Sequence, residues 1–343
     1  MYWMDMTEQQ IADTIGGFGM PKFRAAQVKD WLKKGVRPQE MRNLPKDLRD
    51  RMDTIPFGGA VIYEKRVSPK DGTVKYLFEL EDGNLVEGVL MRYSYGNTVC
   101  LSTQVGCNMG CKFCASTLEG CVRSLRPGEM LSVLAEIERD EPPADGKPRT
   151  VTNIVLMGSG EPLDNYDNVM RAIEVLTADW GFGWSPKRIT LSSIGVLPNL
   201  KRYLDGSRCH LAISLHDPFP EERVSIMPVE KAWQLADIVR LIRQYDFSGQ
   251  RRVSFEYIMF SGFNDSKRHA DALIRLLRGL ECRVNLIRFH KIPDFPYETS
   301  PAPVMEAFRD RLDAHGITCT IRASRGEDIL AACGMLAGKH GKA

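Results

Sequence analysis

Three cysteines lie close together in the segment GCNMGCKFCAST, residues 106–117. They are Cys107, Cys111 and Cys114, separated by three and then by two residues. Thiolates are soft ligands for zinc and iron, and three of them on one short loop can hold a metal while one coordination position stays open. An open position lets an external molecule bind the metal, so this spacing predicts a catalytic metal centre.

The fourth ligand distinguishes zinc from iron at this loop. A structural zinc site needs four protein ligands, but no further Cys or His stands at a zinc-finger spacing, and Cys121 lies seven residues beyond Cys114. Three cysteines suit a 4Fe-4S cluster whose fourth iron takes its ligand from outside the protein. The alternative is three unconnected buried thiols, which rarely gather on a glycine-rich loop.

The elements that must position this loop alternate between strands and helices from residue 97 onward. The strand-like segments are TVCLSTQV, VTNIVLMG, RITLSSIG, HLAISLH, VSFEYIMF and RVNLIRFH, with helix-like segments between them. Six βα units predict an α/β fold in which a parallel sheet curls into a partial or full (βα)6 barrel. Because the carboxyl ends of parallel strands form the functional face, the strings GSGEP, SSIG, SLH and RFH should meet the cysteine loop there.

Two smaller regions precede the barrel. Residues 1–56 carry apolar side chains at helical spacing, and residues 57–96 contain the alternating stretch VKYLFEL with turn signals at Asp71-Gly72 and Asp82-Gly83. We therefore predict an N-terminal helical domain over 1–56 and an antiparallel β extension over 57–96. The barrel domain should span 97–338, and 339–343 should form a disordered tail.

Composition and charge exclude several classes of protein. The start, MYWMDMTEQQ, lacks the basic and apolar segments of a secretion signal, and no apolar run approaches the ~18 residues of a membrane span. We therefore predict a cytoplasmic protein with no membrane partner, in which the nine cysteines do not form a disulfide framework. The formal net charge of +2 gives no sign of a nucleic-acid partner.

The motifs together resemble a known family. Cys-x3-Cys-x2-Cys after the first barrel strand resembles the radical S-adenosylmethionine (SAM) superfamily, in which the amino and carboxylate groups of SAM chelate the free iron. TVCLSTQVGCNMGCKFCAST, MGSGEPLDNYDNV, LAISLHDP, RRVSFEYIM, GFNDS, VNLI and SRGEDILAACGMLAG resemble the RlmN/Cfr family of ribosomal RNA adenine methyltransferases over about residues 20–338. PKFRAAQVKDWL and Pro162 resemble the RlmN branch, which methylates C2 of adenine; the C8-methylating Cfr branch is the alternative.

The resemblance implies a radical reaction on RNA. The expected target is adenine 2503 of 23S ribosomal RNA, with adenine 37 of transfer RNA as a further candidate. Adenine C2 lies between two ring nitrogens and is too electron-poor to attack the methyl group of SAM. The family route uses one 4Fe-4S cluster and two SAM molecules per turnover: one methylates Cys333, and the other yields a 5'-deoxyadenosyl radical that activates this methyl group. An electron donor such as flavodoxin or ferredoxin is implied, and we expect a monomer.

The resemblance also implies roles for individual residues. Cys333 would carry the methyl group, Cys100 would release the RNA adduct through a transient disulfide with Cys333, and Glu87 would accept a proton. Without the resemblance, both cysteines would be interpreted as core residues and Glu87 as a solvated strand residue. The implied SAM contacts are Gly160, Glu161, Ser192, Ser214, Leu215, His216 and His290, the last at a position where many members have Asn. The other cysteines, Cys121, Cys209, Cys282 and Cys319, are predicted to be buried and structural.

Two other classes of function fit part of the pattern. A radical SAM enzyme acting on a protein or a small molecule would need the cluster loop and GSGEP, but it gives no reason to pair Cys100 with Cys333. A noncatalytic iron-sulfur or zinc RNA-binding module would need no SAM pocket. The RNA-contacting residues are not specified, because the basic pairs are scattered; these are Arg123 and Arg126, Lys187 and Arg188, Lys201 and Arg202, and Arg251 and Arg252.

Overall fold

A ten-stranded mixed sheet forms the centre of the protein in a computed structural model that describes residues 1–249, 251–292, 295–332 and 334–336. Its strands lie in the order β1-β2-β3-β4-β7-β8-β9-β10-β11-β12, and a separate two-stranded sheet pairs β5 with β6. The bounds are β1 Ala60–Val67, β2 Val74–Leu80, β3 Leu85–Tyr93, β4 Gly96–Leu101, β5 Gln104–Gly106, β6 Cys121–Ser124, β7 Val151–Leu156, β8 Ile189–Ser193, β9 His210–Ser214, β10 Val253–Met259, β11 Arg283–Arg288 and β12 Thr318–Ile321.

The sheet has an antiparallel and a parallel part. Strands β1 to β4 pair antiparallel, which confirms the predicted extension, and the predicted turns at Gly72 and Gly83 have φ of 69° and 78°. In this sheet the seven strands from β4 through β7 to β12 pair with one another only in parallel. Six of these seven are the six predicted strands. Within the described residues β1 and β12 are the edges, so the barrel is open and partial.

Ten α-helices accompany the sheet in the described part of the chain. Seven follow the first parallel strand and cover the outer surface, as expected for βα units. The bounds are α1 Glu8–Gly17, α2 Phe23–Leu32, α3 Lys46–Met52, α4 Pro127–Asp140, α5 Tyr166–Thr177, α6 Leu197–Gly206, α7 Pro220–Ile226, α8 Leu235–Ile242, α9 Lys267–Leu277 and α10 Ala302–Asp313. None of the described helices is long and apolar enough to cross a membrane.

The N-terminal helices have a core of their own. Ile11 and Ile15 of α1, Val28 and Leu32 of α2, and Leu48 of α3 pack into one apolar cluster separate from the barrel core. The predicted helical character of this region is confirmed, because its apolar residues recur every three or four positions and close on each other. The predicted domain bounds remain predictions. Cys333 and the predicted tail, residues 339–343, lie outside the described residues.

Candidate active site

The carboxyl ends of the parallel strands surround one cleft with about 880 Å³ of empty space, its open mouth included. Each strand from β7 to β11 contributes at least one lining residue at or near its carboxyl end, so the sheet must curve around the cleft. Eight predicted site residues lie among its lining residues, namely Cys107, Cys111, Cys114, Gly160, Glu161, Ser192, Ser214 and His216. The structure therefore brings residues from four separate chain segments to one place.

The cysteine loop is closed at its base by a short hairpin. Strand β5 pairs with β6, and the amide of Cys107 donates to the carbonyl of Gly120 at 3.0 Å. Gly106 has φ of 78°, and a Cβ there would lie 1.9 Å from the Gly120 carbonyl oxygen, so only glycine fits this crossing. Inside the loop the Thr117 hydroxyl donates to the carbonyls of Cys111 and Cys114, both at 2.9 Å. These contacts fix the three thiols toward the cleft.

The three thiols fit an iron-sulfur cluster better than a single ion. Ligands of one ion gather closely, but these three Sγ atoms are not all within 4.8 Å of one another, although all three line the cleft. A 4Fe-4S cluster is instead held at separate iron corners by separate thiolates. Cys121 is not among the lining residues, so this loop brings three thiols and not four to the cleft. Burial raises the pKa of the Cys107 thiol to about 12, and iron must replace this proton on binding.

Glu161 is buried and held by three donors. The Ser193 hydroxyl donates to Oε1 at 2.6 Å, the amide of Leu163 donates to Oε1 at 3.0 Å, and the amide of Ile194 donates to Oε2 at 2.9 Å. Burial nevertheless raises the pKa of Glu161 to about 7. Oε2 therefore keeps an acceptor position for a cationic ligand such as an ammonium group.

Gly160 lets two loops approach each other closely. Its φ is 103°, and a Cβ there would lie 2.6 Å from the Cβ of Gln104. The Gln104 side chain in turn accepts from the amide of Glu161 at 2.9 Å. The GSGEP loop is thus fastened to the strand that leads into the cysteine loop, so a ligand in the cleft meets both.

His216 presents a defined edge of its ring to the cleft. It has a left-handed φ of 58°, and the buried Asn264 side chain holds this turn by donating to the His216 carbonyl at 2.7 Å. The amide of Ile258 donates to Nδ1 at 3.0 Å, so the ring proton of the neutral histidine is on Nε2. Burial and nearby Arg223 lower the pKa of His216 to about 3. His216 therefore acts as a neutral hydrogen-bond donor.

Two of the implied SAM contacts do not line this cleft. Leu215 is fully buried, and its carbonyl accepts from Arg223 at 2.9 Å. His290 lies in an adjoining pocket with Ala331 and Ala332, where Nε2 is 3.2 Å from the Ser324 hydroxyl. Leu215 directly follows β9 and His290 lies two residues beyond β11, so both lie past the strand ends, where the alternation of side chains along a strand no longer fixes their direction.

Cys100 and Glu87 share one face beside the C-terminal segment. Cys100 of β4 is opposite Val89 of β3, and Glu87 stands two residues before Val89, so all three side chains point the same way. Cys100 packs in one apolar cluster with Val89, Ala331 and Leu336. Ala331 and Leu336 belong to the C-terminal segment. Cys333 itself lies outside the described residues, but Ala331 and Leu336, which come before and after it in the sequence, pack next to Cys100.

Glu87 is buried, unlike an ordinary solvated strand residue. It is 7% exposed, and one carboxylate oxygen lies 2.7 Å from Nζ of Lys75. The same ammonium group donates to the carbonyl of Leu330 at 2.9 Å. Lys75 thus ties this carboxylate to the C-terminal segment, and Leu336 and Gly334 of that segment line the main cleft.

Sequence reasoning missed several residues of the site. Glu256 and Arg322 line the cleft, with Arg322 Nη1 3.4 Å from Glu256 Oε2. A carboxylate inside the otherwise apolar strand VSFEYIM was the available signal for Glu256.

The prediction that all four remaining cysteines are buried was partly wrong. Cys209 and Cys319 are buried, whereas Cys121 at the start of β6 and Cys282 just before β11 are partly exposed because both sit at strand beginnings.

Comparisons with known proteins identify the family. A family model described as Radical SAM superfamily matches residues 101–273. The probable dual-specificity RNA methyltransferase RlmN of Parabacteroides distasonis is 48% identical over 335 residues, which cover 97% of this chain and 95% of that protein. The chain belongs to the RlmN family of radical SAM RNA methyltransferases. A protein of the same name from Thermoanaerobacter sp. is 40% identical, with coverage of 98% and 97%.

A solved structure supports the family assignment. A radical SAM methyltransferase from Sphaerobacter thermophilus has a TM-score of 0.92 and 38% identity, covering 99% of this chain and 100% of that chain. The predicted α/β fold and the predicted enzyme class are confirmed. Membership in the RlmN family also implies a 4Fe-4S cluster and SAM, which agrees with the thiol arrangement of the cleft.

Replacing Glu161 with alanine should weaken SAM binding about tenfold or more and leave the iron content unchanged. A hydrogen bond to a charged group contributes about 1.5–3 kcal/mol, and the variant loses this acceptor without touching an iron ligand. SAM affinity can be measured by equilibrium dialysis of the cluster-loaded protein. Asp167→Asn is the control, since this exposed carboxylate in the first turn of α5 does not line the cleft. Equal SAM affinity in Glu161→Ala and the control would show that Glu161 only shapes the loop.

Proposed function

We propose that this enzyme methylates C2 of adenine in 23S ribosomal RNA, in the cytoplasm, with transfer RNA as a second substrate. The observation that carries the proposal is the grouping of Cys100, Glu87 and the C-terminal segment on one face beside the cleft. A methyltransferase that acts on a more reactive atom would need neither a second thiol nor a buried carboxylate at this place.

The cofactors and the protein residues have separate roles in the proposed reaction. The cluster and SAM supply one-electron chemistry, which an electron-poor carbon such as adenine C2 requires. In the proposal two SAM molecules are used per turnover, and Cys333 takes the methyl group of one of them as S-methylcysteine. Gly160, Glu161, Ser192, Ser214 and His216 hold SAM in the cleft, and Leu215 and His290 support the walls around it.

Cys333, Glu87 and Cys100 act in succession in this proposal. The S-methyl carbon of Cys333 would lose one hydrogen atom to the 5'-deoxyadenosyl group supplied by the second SAM and bond to C2, Glu87 would accept the proton that C2 loses, and the one electron left over would return to the cluster. The Cys100 thiolate then attacks the Cys333 sulfur, and the bond from that sulfur to the methyl-derived carbon breaks. That carbon keeps the electron pair and takes a proton, which leaves a methyl group on C2 and a Cys100-Cys333 disulfide. A thiol reductant restores both cysteines before the next turnover.

The RNA must present its adenine to a recessed site. Carbon C2 is inaccessible in a stacked helix, so the target adenine should come from a loop or an unpaired end. The N-terminal helical domain, residues 1–56, is proposed as the accessory RNA-binding unit. A flavodoxin or ferredoxin would deliver the electron, and the enzyme is expected to work as a monomer.

The expected product of protein-free 23S RNA, SAM, dithionite and the cluster-loaded enzyme is 2-methyladenosine. Mass spectrometry of the digested RNA, with synthetic nucleosides as standards, separates this product from 8-methyladenosine. The Cys333→Ala protein is the control, because it keeps the cluster loop but has no thiol to carry the methyl group. A main product of 8-methyladenosine would overturn the C2 assignment and favour the Cfr branch. Absence of any methylated adenosine after this reaction and after a parallel reaction with transfer RNA would reject both assignments.

A further inference from the structure

Two carboxylates and one imidazole meet outside the cleft, at the far side of the turn that carries His216. Asp217 directly follows His216, Glu222 lies on α7, and His269 lies on α9. None of the three lines the cleft. One oxygen of each carboxylate and one ring nitrogen lie within 4.8 Å of one another, and no other group of three such side chains does so among the described residues.

The distances within this trio suit the coordination sphere of a small ion. Nε2 of His269 lies 2.7 Å from Oε2 of Glu222 and 3.9 Å from Oδ2 of Asp217. Ligand atoms around a tetrahedral zinc ion, with bonds of about 2.1 Å, are about 3.4 Å apart. The observed spacings bracket this value, so small side-chain rotations would bring all three atoms to one ion.

Asp217 supplies an independent sign that something is to be bound. The residue is fully buried; Oδ1 accepts from the amide of Phe219 at 2.8 Å, whereas Oδ2 is buried without a hydrogen-bond partner. A buried carboxylate oxygen that faces other ligands without a donor is costly unless a cation approaches it. Oδ2 is the oxygen that faces the imidazole of His269.

The second nitrogen of His269 is arranged as in metal sites. Nδ1 lies 2.7 Å from the hydroxyl of Ser266, which can accept the Nδ1 proton. When Ser266 accepts the Nδ1 proton, the lone pair of Nε2 is available to an ion that replaces the hydrogen bond between Nε2 and Glu222, and such an outer hydrogen bond commonly orients a metal-bound histidine. Arg268 holds the other oxygen of Glu222 at 2.6 Å, so this carboxylate is also fixed from outside.

We infer that Asp217, Glu222 and His269 bind one divalent transition-metal ion, and nitrogen and carboxylate ligands of this number favour Zn²⁺. The two carboxylates neutralise the ion, and a water molecule completes a tetrahedron on the partly exposed side of Glu222. The ion would fasten α7 and α9 to the end of β9, immediately behind the turn that presents His216 to the cleft. Its role is therefore structural, at a site separate from the cluster.

Zinc retention by the cluster-loaded enzyme tests this inference. Loading the cluster first occupies the three cysteines of the loop, so added Zn²⁺ reports on other sites. After treatment with Zn²⁺ and gel filtration, mass-spectrometric metal analysis should find one zinc per chain in addition to the cluster iron. His269→Gln and Asp217→Asn should each weaken zinc retention more than about 100-fold with unchanged iron, and Ser266→Ala about tenfold.

The matched control for these variants is Glu221→Gln. Glu221 is the exposed neighbour of Glu222 on the same helix and does not belong to the trio, so this variant should retain zinc like the parent. Thermal unfolding gives a second readout, in which Zn²⁺ should raise the midpoint of the parent and of Glu221→Gln but not of Asp217→Asn. If the parent retains no zinc and its midpoint does not move, His269 only forms a hydrogen bond with Glu222 and the inference is wrong. Equal zinc retention by the parent and both ligand variants would also reject it.

Discussion

Replacing Cys114 with alanine should abolish the absorption and Mössbauer signals of a 4Fe-4S cluster after anaerobic reconstitution. All three thiols line the cleft, and loss of one leaves two attachment points for four irons. We expect the same result for Cys107→Ala and Cys111→Ala. SAM cleavage with dithionite should fall to background in all three variants, because no one-electron reductant remains in the cleft.

Cys121→Ala is the control that separates ligation from a general effect of removing a thiol. Cys121 stands across the hairpin from Gly106, next to the loop, but it does not line the cleft. The Cys121 variant should therefore form a normal cluster and cleave SAM. A stable, SAM-cleaving cluster in Cys114→Ala, or loss of the cluster in Cys121→Ala, would mean that the ligand set is wrong.

The convergence of the three cysteines on one cleft was predictable from the sequence for a local reason. Three ligands within eight residues, with glycines around them, need only one loop conformation to converge, and the structure forms it with a hairpin and a single close crossing at Gly106. The turns at Gly72 and Gly83 were predictable for the same reason, since φ near 70° is a property of one residue. Alternation of strand and helix patterns was enough to predict the parallel sheet.

The features that the sequence did not predict depend on how segments distant in sequence pack together. Leu215 directly follows β9 and His290 lies two residues beyond the end of β11, so the alternation of side chains along a strand could not predict which way either one faces. Strand β12, four residues long, was not predicted because so short a segment has no clear periodicity. The trio of Asp217, Glu222 and His269 comes from three elements and has no sequence spacing to indicate it. Only the packing of α7 and α9 against the end of β9 brings those side chains together.

Replacing Cys100 with alanine should leave the protein covalently attached to its RNA. In the proposed route, methylation of Cys333 and its joining to C2 do not require Cys100, but release requires a thiolate that can reach the Cys333 sulfur. Cys100 packs with Ala331 and Leu336, on the face that Glu87 shares. A slow band on a denaturing gel, removed by ribonuclease and dependent on SAM, is therefore expected for Cys100→Ala, with almost no free methylated RNA.

Three further variants decide whether this adduct has the proposed origin. Cys100→Ala combined with Cys333→Ala should form no adduct, because the attachment point is missing, and Cys333→Ala alone should form neither adduct nor methylated RNA. Cys209→Ala removes another buried thiol in the barrel core and should turn over like the parent, which shows that loss of a buried cysteine is not itself the cause. Clean turnover by Cys100→Ala would return Cys100 to a packing role. The releasing thiol would then have to be sought at Cys121, which stands across from Gly106 at the base of the cluster loop.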